Sequence, residues 1–302
     1  MWFFQKLLNL FNWKNFKQLD FLDKYDIYDF SYKGFSIEKR NGSYREIYAP
    51  NKSLKKIQKE ILRNFEENII LPWYITAFRK YFSIKANAKH HINKKIVVSL
   101  DIKDFFLSIT KDKLENMLLT LWYNKEKVNK LLKIITYKNS LPQWAPTSGF
   151  FANWVFVGID RMIIKILKKY DENIAYTRYA DDITFSSNNT KIVNSLRIIE
   201  NILKQYGYEI NKEKTKIFRK NKRQIVTGLV VNEKVSYPRN KYMQLKAMVY
   251  NFLKENRWDF YKIKGYLSFL YSVDKKKYDK LKDYYAIKFQ NNKNYNKLFN
   301  LS

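Results

Sequence analysis

The chain of 302 residues contains no cysteine, which excludes a disulfide framework and a thiolate zinc site and is compatible with a reducing compartment. Histidine is limited to the adjacent pair His90 and His91. Glycine and proline are scarce, at 7 and 5 residues. No flexible linker or internal repeat is visible, so divisions of the chain must be read from pattern. No stretch approaches the roughly 20 continuous apolar residues of a membrane span. The opening "MWFFQKLLNLFNWKNF" is apolar, yet it lacks a basic leader and is interrupted by Gln5, Lys6 and Asn9. An amphipathic helix packed on the body is expected there, in place of a signal peptide. Acidic residues are the last shortage, with 28 Asp plus Glu against 58 Lys plus Arg, a formal charge of +30. Compositional bias toward Lys, Asn, Ile and Tyr inflates the lysines but does not explain why acids are so outnumbered. Such a surface attracts polyanions, nucleic acid first among them.

What is present is ample for a globular core: 46% hydrophobic residues, with aromatics at 18% of the chain. A helix is expected over "SLKKIQKEILRNF" (53–65), and "KKIVVSLDI" reads as a buried strand carrying Asp101 near its end. Helical patterns follow at 112–122 and 125–137, then the loop "SLPQWAPTSG", then a helix apolar on nearly all faces and capped by Thr147 or Ser148. "YTRYADDITFSS" (176–187) reads as a β-hairpin with Asp181 and Asp182 at its tip. A helix opened by Thr190 and stopped by Gly207, a strand at 214–219 and a second hairpin in "QIVTGLVVNEKVSYP" come next. From 238 onward the pattern is helical, with Tyr250, Phe252, Phe260 and Tyr266 read as core and the lysines facing a ligand. From Asp101 the order is β-α-β-β-α-β, an α+β arrangement in which the first strand lies beside the hairpin.

Two adjacent aspartates at a hairpin tip have two readings. Asp tolerates turn geometry, so a turn alone explains them. A divalent metal site explains them too, provided a third carboxylate is near, and the topology offers Asp101. That set is all oxygen, suited to a hard cation such as magnesium. In-line phosphoryl transfer uses two such ions about 3.5 to 4 Å apart.

The segments around this set carry a resemblance. "YREIYAP" (44–50), "FRKYFSIKANAKHH" (78–91), "VVSLDIKDFFLSI" (97–109), "LPQWAPTSG" (141–149), "YTRYADDITFS", "INKEKT" (210–215), "VTGLVV" (226–231) and "GYLSFLYSVD" (265–274) stand in one order along most of the chain. The chain resembles a reverse transcriptase, and closely a bacterial retron reverse transcriptase, to which "NAKHH" and "VTG" point.

The resemblance implies a right-hand polymerase fold: an N-terminal helix and fingers over 1–95, a βαββαβ palm over 96–237 with part of the fingers inserted around 110–140, and a short helical thumb over 238–302. It implies that Asp101 and Asp181 are direct ligands of two Mg²⁺ ions, with Asp182 beside them as an auxiliary catalytic carboxylate. Phe106 would lie beneath the incoming sugar and select deoxynucleotides, with Phe105 or Phe106 itself serving as core. Arg45 and Lys80 would contact the triphosphate or template, Gln143 the nascent base pair or template, and Lys214 the pyrophosphate or simply the site's charge. Asn87, His91, Thr227 and Gly228 would serve RNA recognition or the architecture around it. Two departures stand out: Trp144 where the family has Gly, and Gly149 where it has Pro. An indole fills space that Gly leaves open and can stack on a base, so Trp144 is expected to line the nucleotide or template pocket.

The same resemblance implies a cognate structured non-coding RNA as both template and primer, dNTPs as substrates and a branched RNA–DNA product. It further implies an effector protein encoded nearby, a role in anti-phage defence and a bacterial cytoplasmic location without a membrane. RNA trimming would fall to another enzyme. Two alternatives stand beside it: a defence-associated reverse transcriptase with protein-primed or non-templated synthesis, and a palm-fold RNA-binding scaffold weakened in catalysis, for which Trp144 is the main argument.

Overall fold

The structure is a computed structural model that describes residues 19–25, 30–38, 42–121, 124–255, 257, 259–289 and 292–299. The helix expected in the first sixteen residues lies outside them. In chain order the elements are β1 (Tyr32–Glu38), β2 (Tyr44–Pro50), α1 (Lys52–Asn68), α2 (Ile84–Lys89), β3 (Ile96–Asp101), α3 (Lys111–Leu121), α4 (Lys125–Ile135) and α5 (Ser148–Lys168). Then come β4 (Ala175–Tyr179), β5 (Asp182–Ser187), a 3₁₀ helix (Thr190–Ser195), α6 (Leu196–Gln205), β6 (Lys216–Arg219), β7 (Ile225–Val226) and β8 (Leu229–Val230). The chain continues in helices α7 (Arg239–Glu255), α8 (Phe260–Val273), α9 (Lys275–Phe289) and α10 (Lys293–Phe299). β1 and β2 form an antiparallel ribbon, and the central sheet has the order β4-β5-β3-β6. Its strands and helices follow the β-α-β-β-α-β order expected for an α+β palm.

By compactness the described residues fall into two units, one within 1–83 and 98–216, the other within 84–97 and 217–302. In the second unit, Ala88 and Val97 share one apolar cluster with Val226, Leu229, Val231 and Val273.

In the first unit, Asn51 caps α1 by accepting a 2.9 Å bond from the Leu54 N–H. Leu54, Gln58, Ile61 and Phe65 then fall on one buried face. Buried Gln58 donates to the Ile134 carbonyl at 2.8 Å. Phe65 meets the rings of Phe150, Phe151 and Trp154, so α5 is enclosed as its composition demands. Its start departs from expectation: Thr147 has helical backbone angles (φ −80°, ψ −24°) and makes no capping bond, and neither its hydroxyl nor that of Ser148 finds a partner among the described residues. The next helical segment is capped by Asn189 in place of Thr190, because Asn189 has the extended backbone that aims its side chain at the Lys191 N–H. Gly207 ends α6 as expected. Its φ of +70° lets the Tyr208 N–H return to the Leu203 carbonyl at 2.9 Å.

In the second unit, β7 and β8 are joined by Thr227 and Gly228, both with positive φ (+45° and +83°), as a two-residue primed turn requires. Thr227 also donates to the Ile84 carbonyl at 3.2 Å, fastening the turn to α2. Gly228→Ala meets no steric obstacle but forces a Cβ into the left-handed region. It is expected to destabilise the protein by about 1 kcal/mol, read as a lower thermal midpoint. The helices α7 to α10 enclose Val249, Leu267, Leu281 and Leu298. Phe252 is buried and Phe260 packs on that core, whereas Tyr250 and Tyr266 stay 37% and 40% exposed, outside the core role expected of them. Among the described residues no helix is long and apolar enough to cross a membrane.

Candidate active site

β4 and β5 pair so that Tyr179 faces Asp182, which leaves Ala180 and Asp181 as the two-residue loop of the hairpin. Ala180 has φ +57°, an uncommon angle for a residue with a side chain. The loop is held from beneath by Arg178, which is completely buried. Its guanidinium donates to the Ala180 carbonyl at 3.2 Å, to the Asn153 side-chain oxygen at 3.0 Å, and to both oxygens of the buried Asp160 at 2.9 Å. Tyr176 adds a 2.6 Å bond to the same carboxylate. Every charge in this group is thus paired and hydrogen-bonded, the condition under which burial is tolerated.

Asp101 arrives at the hairpin from the end of β3. The Ile102 N–H donates to the Asp181 carbonyl at 3.0 Å, and the Asn211 N–H donates to the Asp101 carbonyl at 2.8 Å. The strand end is therefore gripped between the hairpin tip and the turn that begins at Asn211. From that turn Lys214 reaches both Asp101 carboxylate oxygens at 3.0 Å, and Asp101 itself is only 8% exposed. Burial pushes the Asp182 carboxyl up to about 7, helped by the negative charges of Asp181 and Asp101. Asp181 is raised as well, by burial first and then by Asp101, against the pull of Lys214 and Arg45. The site thus carries negative charge that its neighbours only partly offset, which a cation would relieve.

Among the described residues no three carboxylate, imidazole or thiolate groups come close enough together to hold one metal ion. Asp182 opens β5 directly after Asp181, the last residue of the loop. The donors that fit a hard cation are the carboxylates of Asp101 and Asp181, coupled electrostatically and all oxygen.

The remaining residues flagged by sequence separate into groups. Arg45 and Gln143 line one cavity of about 400 Å³, together with Tyr44, Asp104 and Lys138. Trp144 is absent from that lining; its exposed ring meets Phe35 of β1 edge on, with centroids 5.1 Å apart. Lys80 lines a second cavity, of about 270 Å³, with Phe78 and Arg79. Phe105 is the core member of its pair and Phe106 the half-buried one, its edge against Phe78. Asn87 and His91 are buried, and burial drives the His91 imidazole down to about 3, so it is neutral. Of the two roles expected of them, recognition and architecture, their burial around α2 favours architecture. Arg178, Asp160 and Asn153 were not expected from sequence. The signal was there, an acid inside "FVGIDRM" and an arginine inside the hairpin strand.

Comparison with known proteins matches the arrangement. The reverse transcriptase (RNA-dependent DNA polymerase) family matches residues 37–255. A retron Ec86 reverse transcriptase of Escherichia coli is 34% identical over 260 residues, covering 85% of this chain and 81% of the relative. A retron Mx65 reverse transcriptase of Myxococcus xanthus is 30% identical over 238 residues, covering 72% of this chain and 55% of the longer relative. Among solved structures, telomerase from Candida albicans with a fragment of telomeric RNA superposes with a TM-score of 0.56 at 12% identity, covering 90% of this chain and 64% of that one. That likeness concerns the fold alone. With the family model matching residues 37–255 and two retron enzymes aligned along 85% and 72% of the chain, the chain belongs to the bacterial retron reverse transcriptases and is an RNA-directed DNA polymerase.

Proposed function

We propose that this polymerase copies a cognate structured non-coding RNA, serving as both template and primer, into a branched RNA–DNA molecule, using dNTPs and two Mg²⁺ ions. The observation that carries the reading is the bond from the Ile102 N–H to the Asp181 carbonyl, which sets the end of the Asp101 strand against the hairpin tip. Asp101 and Asp181 would hold the metal, with Asp182 adding charge beside them. When bound, the ions supply the charge that lowers the pKa of an attacking hydroxyl and offsets that of the departing pyrophosphate. Lys214 orients and partly neutralises Asp101 until the ions and the triphosphate arrive. Arg45 and Gln143, on one cavity wall, hold the nucleotide and its base pair, and Lys80 meets the template backbone. Thr227 and Gly228 present a rigid turn to the RNA. The N-terminal helix and fingers over 1–95, the palm over 96–237 and the thumb over 238–302 are the functional divisions that go with this reading. A bacterial cytoplasmic setting, an effector protein encoded nearby and a role against phage complete it.

Sequencing the nucleic acid that copurifies with the protein tests the proposal. A single RNA species joined through an internal 2′ position to complementary DNA is the expected result. DNA linked to protein, or a homopolymer unrelated to any bound RNA, would overturn it. Binding should also weaken steeply with salt, as expected for many lysine–phosphate contacts.

A further inference from the structure

Phe78 has φ +55°, a conformation that a bulky residue keeps only when its surroundings impose it. Both neighbours impose it here. The Ala77 carbonyl accepts a 2.8 Å bond from the buried Asn153 amide, the same side chain that meets Arg178 beneath the catalytic hairpin. The Arg79 guanidinium donates to the carbonyls of Pro72 and Ile75 at 2.7 and 2.8 Å, closing the loop on the other side. The ring presented in this way stays 53% exposed and meets Phe106 edge on, with centroids 5.9 Å apart.

Gly149 completes the fit. A Cβ at that position would stand 2.5 Å from Cγ of Phe78 and 2.8 Å from two more of its atoms, well inside van der Waals contact. The proline that the resemblance leads one to expect there brings such a Cβ. Gly149 and the seat of Phe78 are therefore one arrangement: the ring occupies the room the glycine leaves. Phe106 is then braced on two sides, by Phe78 and by the buried Phe105 at 5.7 Å.

We infer that Phe78 is a positioning residue for sugar selection: its ring buttresses Phe106 so that the aromatic wall under the incoming nucleotide cannot retreat from a ribose 2′-OH, and Gly149 supplies the space. The inference rests on the reading of Phe106 as the ring beneath the incoming sugar. A wall braced on one side only would yield to the extra oxygen, and discrimination would fall without loss of deoxynucleotide use.

Single-nucleotide incorporation on a primed RNA template, with kcat and KM measured for one dNTP and its matching rNTP, tests this. Phe106→Ala is the reference and is expected to collapse the preference for the dNTP. Phe78→Ala should lower that preference about tenfold, chiefly by raising kcat/KM for the rNTP, and Phe78→Tyr should restore it. The double variant should fall no further than Phe106→Ala alone, since both act through one ring. Gly149→Ala should also erode the preference, although helix propensity alone would make it stabilising. Should Phe78→Ala fail to fold, Phe78→Leu carries the same expectation in smaller measure. If Phe106→Ala collapses the preference while the Phe78 variants lower both nucleotides' rates alike, the inference is wrong and the reading of Phe106 stands. If Phe106→Ala leaves the preference intact, the reading of Phe106 fails and the inference with it.

Discussion

Asp181→Asn is expected to reduce kcat for RNA-templated DNA synthesis on the order of 10³-fold or more, with the thermal midpoint unchanged or raised. The substitution keeps the size and shape of the side chain. It also keeps the backbone contact that organises the site, because the Ile102 N–H bonds the carbonyl of residue 181 and not its side chain. What is lost is one of the two charges suited to a hard cation. The unchanged or raised midpoint follows from the electrostatics: burial and the Asp101 charge already disfavour an ionised Asp181, so a neutral amide relieves repulsion. Asp182→Asn should cost less activity, since its carboxylate adds charge without joining the pair. Primer extension and thermal unfolding of the three proteins side by side check the ordering. Activity of Asp181→Asn within tenfold of the parent would remove Asp181 from the proposed machinery.

The two readings of "YADD" that sequence left open turn out to be compatible. Ala180 and Asp181 are the turn, and the turn is what carries Asp181 to the Asp101 strand. This was legible because period-2 alternation and element order are local signals, and the topology then fixes which strands can meet. Between the recognition and the architectural role left open for Asn87 and His91, sequence could not choose, because the burial of a polar residue in a basic loop shows only once the fold reveals what covers it. The surroundings of Trp144 were hidden for a related reason. A large ring beside "LPQ" suggests a pocket wall, and sequence does not reveal that the β1 hairpin brings Phe35 against its edge. The capping errors were smaller in kind. Thr147 and Thr190 are suitable residues by type, but a cap depends on the backbone angle of one residue, which composition does not set. Gly149 is the opposite case, a departure visible at once in sequence whose meaning appears only with Phe78 in place.

Arg178→Ala is expected to destabilise the protein by about 3 to 5 kcal/mol, a large share of the roughly 5 to 15 kcal/mol that holds a folded domain together. The truncation leaves Asp160 charged and fully buried with only the Tyr176 hydroxyl among the partners it had here. It also strips the Ala180 carbonyl and the Asn153 oxygen of their donors. Most of that cost is the stranded charge, so removing both charges together should recover much of it: Arg178→Met with Asp160→Leu is expected to fold far better than Arg178→Ala. Activity should not recover with stability. The left-handed Ala180 loses the donor that holds the hairpin tip, and Asn153 loses the partner that fixes it against the Ala77 carbonyl ahead of Phe78. Urea unfolding paired with single-nucleotide incorporation separates these effects. A double variant that is stable yet slow, with a weakened preference for deoxynucleotides, would show that the buried charges hold the site's geometry, whereas one as active and selective as the parent would confine them to stability.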